Sequence, residues 1–135
     1  MFYITSQITF AAAHSLNNPI WSAEKNQEVY GKCAHPHGHN YTLQVTISGK
    51  LNPTTGMVIN FTELKKILTQ EIYEYVDHKD LNKDVDFLKN IIPTTENLAR
   101  VFWERLVTSL PTFTQLVEVR VQESLHQFAT YKGTI

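Results

Sequence analysis

The stretch HPHGHNYTLQVTISG, residues 35–49, sets the frame for the chain. From His39 onward, Tyr41, Leu43, Val45 and Ile47 take one register, while Asn40, Thr42, Gln44, Thr46 and Ser48 take the other. That period of two predicts a half-buried β-strand, apolar on one face and ending near Gly49. His37 and His39 extend the inward register, so two imidazoles are expected to project to the same side. Gly38 leaves the space between them open.

Working outward, Ile4, Ser6, Ile8, Phe10 and Ala12 alternate with Tyr3, Thr5, Gln7 and Thr9, and His14 falls next in the mostly apolar register. A second strand is predicted there. The turn residues NPTTG at 52–56 lead toward a helix opening near Asn60 or Thr62, with a stripe of Phe61, Leu64, Ile67, Leu68, Ile72, Tyr75 and Val76. A second helix is expected after Pro93 at TTEN, burying Leu98, Val101, Phe102, Leu106 and Leu110 and stopping at Pro111. In QLVEVRVQE the register Val117, Val119, Val121 continues to Glu123, and QFATYKG supplies a last strand. The order ββααββ predicts an α+β fold, an antiparallel sheet with both helices on its apolar face. A sheet this small leaves open edges, so a homo-oligomer joined through strand edges is expected.

At 135 residues, 42% hydrophobic and 19% charged, the chain fits one domain over residues 1–135. A net charge of -1 offers no broad basic field for nucleic acid. The longest apolar runs fall far short of the ~20 residues that span a bilayer, and MFYITSQITF lacks the layout of a signal peptide. The expectation is a cytoplasmic protein with no membrane partner. The single cysteine, Cys33, is a buried small residue, a metal ligand or a reactive thiol.

His14, the His37/His39 pair and Glu123 each sit at a strand end in the register that otherwise enters the core. One such histidine is ordinary; three sharing the property point to a metal. Three histidines without a fourth protein ligand suit a catalytic zinc, which keeps a position open for water or substrate. The alternative is a closed site in which Cys33 or His35 supplies the fourth ligand. Cys33 is also placed to border a metal and act as a general base. Asp77 and His78, adjacent in VDHKDLN, form either an Asp–His relay or a plain helix C-terminal histidine. Glu123, inward and acidic, needs a partner: a flat N–H pair on a ligand, or a nearby cation. Glu96 in TTEN is a second candidate, although an acid in a first helical turn is ordinary.

In order, ITFAAAH, VYGKCAHPHGHNY, GMVINFTELK, VDHKDLN, TTENLA and the late Glu123 resemble the 6-pyruvoyl-tetrahydropterin synthase family, including its 6-carboxytetrahydropterin synthase branch. The resemblance spans nearly the whole chain. It implies a tunnelling fold, in which protomers join their sheets into a trimeric barrel and trimers stack into a hexamer. It implies His14, His37 and His39 as zinc ligands, Cys33 as general base, and Asp77 with His78 as the remaining catalytic pair, in a site between protomers to which Cys33 and the Asp–His pair come from different chains. Glu123 would anchor a pterin ring, assisted by Thr95 and Glu96.

The implied substrate is 7,8-dihydroneopterin triphosphate. Four residues from Cys33 to His37 match the shorter spacing associated with the carboxy-forming branch, although SAEKNQEVYGKC resembles the pyruvoyl-forming one. The expected reaction is therefore formation of 6-carboxy-5,6,7,8-tetrahydropterin with release of acetaldehyde and triphosphate, feeding deazapurine (queuosine) synthesis. The alternatives are the 6-pyruvoyl synthase reaction, a non-catalytic pterin-binding zinc protein, and an enzyme that only cleaves or epimerises the dihydroneopterin side chain.

Overall fold

The computed structural model describes residues 1–134. Two long strands, β1 (Phe2–His14) and β2 (His37–Gly49), pair antiparallel along their whole length, from Phe2 opposite Gly49 to His14 opposite His37. Equal lengths and matching inward registers leave one alignment that buries both apolar sets at once. β4 (Thr114–Gln122) and β5 (Phe128–Tyr131) follow on the β2 side, and with the short β3 (Lys79–Asp80) beside β1 the sheet order is β3-β1-β2-β4-β5.

The helices lie on one face, as the sequence predicts. α2 (Phe61–Leu68) starts at Asn60, whose side chain accepts from the Thr62 amide at 2.8 Å. It passes through one π-turn (Thr69–Tyr73) into α3 (Glu74–Val76). Leu64, Leu68, Ile72 and Val76 are all fully buried at an unbroken spacing of four. In a regular α-helix each step of four over-rotates by about 40°. The wider π-turn takes back part of that drift and keeps the stripe on the sheet. α4 (Thr95–Val107) is capped by Thr94, whose side chain accepts from the Asn97 amide at 3.1 Å, and buries Leu98, Val101, Phe102 and Leu106. These residues close over Tyr41, Leu43, Val45 and Ile47 of β2, all completely inaccessible.

Four features differ from the expected pattern. A helix the sequence reading lacks, α1 (Ala23–Tyr30), sits between β1 and β2. It carries little apolar stripe and is fastened by buried Asn26, whose amide accepts from Asn18 N–H at 2.7 Å and donates to the Asn18 and Ser22 carbonyls at 3.1 Å. The sheet is mixed: two-residue β3 (Lys79–Asp80) runs parallel to β1. In β4 the pairing slips between Thr46 and Ile47, a bulge that puts Leu116 inside in place of Val117. Phe61 and Tyr75, expected in the α2 stripe, are exposed. No helix among the described residues is long and apolar enough to cross a membrane.

Candidate metal centre and catalytic groups

The pairing of β1 with β2 carries the site. Because His14 lies opposite His37 and Ala12 opposite His39, three imidazoles from two strand ends meet on one face. Their ring centroids are 4.6–5.1 Å apart, and one ligand nitrogen from each lies within 4.8 Å of the others. Gly38 between them sits close against the Ala12 carbonyl, where a Cβ would come within 3.4 Å.

Backbone carbonyls aim the rings. His14 Nδ1 is 2.8 Å from the Pro93 carbonyl, and His37 Nδ1 is 2.7 Å from the His35 carbonyl. A carbonyl only accepts, so each Nδ1 carries the proton and each Nε2 presents its lone pair. Burial pushes the pKa of His14 down, against the pull of the Pro93 carbonyl, and burial likewise lowers that of His39 against the attraction of Glu123. Both are neutral at pH 7, the form that ligates a metal.

The Nε2 atoms of His14 and His39 are buried and have no hydrogen-bond partner among the described residues. Glu123 Oε2 stands 3.6 Å from His39 Nε2 and 4.0 Å from His14 Nε2, too far for hydrogen bonds. Two orphaned, converging nitrogens are a poor arrangement for a protein alone and a good one for a cation. Three nitrogens around a tetrahedral zinc at 2.0–2.1 Å lie roughly 3.3 Å apart, so only small closure of the cluster is needed. The donor set therefore fits zinc.

Neither Cys33 nor His35 joins this cluster, which among the described residues consists of His14, His37 and His39. Cys33 is exposed, in a 3₁₀ turn (Gly31–Ala34) directly before β2, and its carbonyl accepts from Leu16 N–H at 2.7 Å, two residues past His14. His35 contributes its carbonyl, which the sequence could not reveal. Beneath the cluster, Tyr41 packs against the His14 and His39 rings and stacks on Phe10 at 5.0 Å. Its hydroxyl is buried without a partner among the described residues, and burial pushes its pKa far up.

Asp77 and His78 stand on the β3 side of β1. Asp77 Oδ1 accepts from Ala11 N–H at 3.1 Å, and Oδ2 lies 2.7 Å from His78 Nδ1, so the Asp–His pair exists as read. Burial alone would raise the Asp77 pKa, but the bonds from His78 and Ala11, with Tyr73 beyond them, hold it below its ordinary value. His78 adopts φ 60, an uncommon backbone for a residue with a side chain, fixed by its N–H donating to the Ala11 carbonyl at 2.6 Å. Its ring is 81% exposed. His78 of the pair and His39 of the triad border one open depression of about 530 Å³, floored by Ala11–Ala13 of β1. Thr95 and Glu96 lie in the first turn of α4, where the Thr95 hydroxyl donates to Glu96 Oε1 at 2.9 Å. The same segment reaches the triad through Pro93.

Residues 3–134 match the family model for 6-pyruvoyl tetrahydropterin synthase. The chain belongs to the 6-pyruvoyl tetrahydropterin synthase family. Among its relatives, the 6-pyruvoyl tetrahydrobiopterin synthase of Poecilia reticulata is 44% identical over 97% of this chain and 90% of its own length. That of Dictyostelium discoideum is 42% identical over 96% and 95%. The solved 6-pyruvoyl tetrahydropterin synthase of Caenorhabditis elegans superposes with a TM-score of 0.90 at 36% identity, covering 98% of this chain and 96% of that one. The α+β architecture of this synthase-family member is accordingly the tunnelling fold, and the three-histidine cluster lies within a chain matched along nearly all its length.

Proposed function

We propose that the protein, as a single domain over residues 1–135, is a zinc-dependent 6-pyruvoyl tetrahydropterin synthase. It would convert 7,8-dihydroneopterin triphosphate to the 6-pyruvoyl product with loss of triphosphate. The observation that carries the metal is the pair of buried, partnerless Nε2 atoms on His14 and His39, aimed with His37 at one point. The names of the relatives favour the pyruvoyl product over the carboxy-forming reaction expected from the Cys33–His37 spacing. That spacing reflects a short turn before β2, and the Cys33 and His35 side chains within it stand outside the histidine cluster.

His14, His37 and His39 would hold zinc, which as a Lewis acid polarises and acidifies the substrate's side-chain hydroxyls. Cys33, exposed beside the strand ends, takes a proton from a side-chain carbon, and triphosphate leaves from the neighbouring carbon. Asp77 accepts from His78 Nδ1 and so fixes the tautomer in which Nε2 is free to receive and return protons. Glu123 borders the open side of the triad and accepts hydrogen bonds from the substrate there, while Thr95 and Glu96 accept or donate at the α4 end. No oxidant is required, because the pyruvoyl group arises by internal redox rearrangement. The wide exposure of His78 and its lack of a bond to the triad fit an arrangement in which one protomer's pair serves a neighbour's metal, in a trimer or hexamer.

The test is to incubate zinc-loaded protein with 7,8-dihydroneopterin triphosphate under reducing, anaerobic conditions and identify all products by mass. A 6-pyruvoyl product with triphosphate is expected. Acetaldehyde with 6-carboxytetrahydropterin would overturn the product assignment, and pterin binding without turnover would overturn the enzyme reading.

A further inference from the structure

Helix α1 is held to the protein by polar bonds and hardly at all by packing. Among the described residues it buries a single side chain, that of Asn26, 4% exposed. Asn26 Oδ1 accepts from Asn18 N–H at 2.7 Å, and Nδ2 donates to the Asn18 and Ser22 carbonyls, each at 3.1 Å. The amide of Asn18 only donates and the two carbonyls only accept, so a carboxylate lacks the donors this place needs and an aliphatic side chain lacks both functions. The connector that Asn26 grips is pinned at its start as well. Ser15 N–H donates to Asn82 Oδ1 at 2.8 Å, and Leu16 N–H donates to the Cys33 carbonyl at 2.7 Å. At its far end α1 passes through Gly31, at φ 57, into the turn that carries Cys33. Residues 16–33 therefore make one closed loop, with Leu16 meeting Cys33 at the mouth and Asn26 bracing it across the middle.

We propose that Asn26 is a positioning residue for Cys33, bracing the 16–33 loop so that the turn before β2 delivers the thiol to one place beside the histidine cluster. The inference rests on the reading of Cys33 as general base. The Trp21 and Tyr30 rings, 6.0 Å apart and 29° from parallel, clasp the same loop. A stack of that kind tolerates sliding, whereas three directed hydrogen bonds do not, so loss of the Asn26 amide leaves the loop closed but loose. The metal ligands lie outside the loop: His14 ends β1 before it, and His37 and His39 open β2 after it. Their convergence is fixed by strand pairing, so Asn26 bears on the thiol and not on the metal.

Asn26→Asp keeps the Oδ1 acceptor and turns the donor into an oxygen facing two carbonyls; Asn26→Ala removes both functions and serves if the first variant does not fold. Each is read on the zinc-loaded full chain by kcat and KM, by zinc affinity and by hydrogen exchange of the Leu16 amide. A displaced reacting group costs up to about 10² in rate, so kcat should fall roughly ten- to a hundredfold, with KM and zinc affinity within about twofold of wild type. Leu16 should exchange at least about fivefold faster, while the β2 amides keep their protection. In a Cys33→Ala background Asn26→Asp should cost nothing further, because a group acting through the thiol has nothing left to position. Wild-type kcat in Asn26→Asp, an additive loss in the Cys33→Ala background, or a matching loss of zinc affinity would overturn the proposal. Full activity of Cys33→Ala by itself would instead sink the reading of Cys33 as base. Leu16 exchange, which needs no turnover, still decides whether Asn26 holds Cys33 in place: an unchanged rate means that it does not.

Discussion

Replacing His14 with Ala should abolish tight metal binding far out of proportion to its effect on the fold. His14 is 2% exposed, its Nδ1 is committed to the Pro93 carbonyl, and its Nε2 has no hydrogen-bond partner among the described residues. One free valence thus remains, directed at the other two imidazoles. If a protein zinc site is worth roughly 10–16 kcal/mol, each of three ligands carries about 3–5 kcal/mol of it. Loss of one weakens binding by about 10² to 10⁴ in Kd. The metal-free fold loses less, because the main penalty is the buried Pro93 carbonyl left without a donor, about 1–3 kcal/mol. The assay is competition for zinc against a chromophoric chelator at pH 7.5, run beside urea unfolding of the metal-free protein. His35→Ala is the control: only the His35 backbone touches the site, so its affinity should stay within about twofold of wild type, as for a surface change. Affinity within tenfold of wild type in His14→Ala, or equal losses in both variants, would show that the metal is held elsewhere.

Cys33→Ala should retain zinc within about threefold yet lose at least about 10² in kcat, since the thiol stands outside the histidine cluster; parallel loss of zinc would restore the closed-site alternative. The Asp77 pKa is lowered on folding, so its stabilisation is present above the ordinary carboxylate pKa and disappears as pH falls through the folded value. Wild type should therefore outlast Asp77→Asn in denaturant at pH 7, with the gap closing below about pH 4; a gap that widens toward acid refutes the assignment. Tyr41→Phe keeps the stack on Phe10 and removes a buried hydroxyl that has no partner, so unfolding should become harder by about 1 kcal/mol. Destabilisation by more than that would mean the hydroxyl is bonded in the assembled protein.

The strands that build the site were legible because alternation is a direct image of burial: Ile8, Phe10, Ala12 and His14 are buried in the register read from them, as are Tyr41, Leu43, Val45 and Ile47. Val117 misled because one inserted residue reverses the register upstream while leaving Val119, Val121 and Glu123 correctly placed. Helix α1 was missed because its anchor is the amide network of Asn26, and periodicity measures apolar burial only. β3 escaped because two residues have no period and are recruited by β1, more than sixty positions away. At the site, side chains announced themselves by type, and the convergence of His14, His37 and His39 followed from two strand ends. The carbonyls of Pro93 and His35, which decide the tautomers, have no letter in the alphabet. The Cys33–His37 spacing weighed toward the carboxy-forming branch while the relatives carry 6-pyruvoyl tetrahydrobiopterin synthase names, because the length of a turn before β2 reports backbone geometry and not the product.

The hydrogen bond from His14 to Pro93 joins positions 79 apart in the chain. During synthesis, His37 and His39 emerge as a two-toothed grip long before Pro93 exists, and two imidazoles hold a cation loosely and reversibly. His14 is locked in its ligating pose only after the loop before α4 has docked, a late step in a topology dominated by distant contacts. A metal held by the three histidines would thereby be captured tightly only by nearly complete chains, and a truncated or misfolded copy would hold it loosely. The carbonyl of one proline acts as an inspection stamp, withheld until the fold has closed.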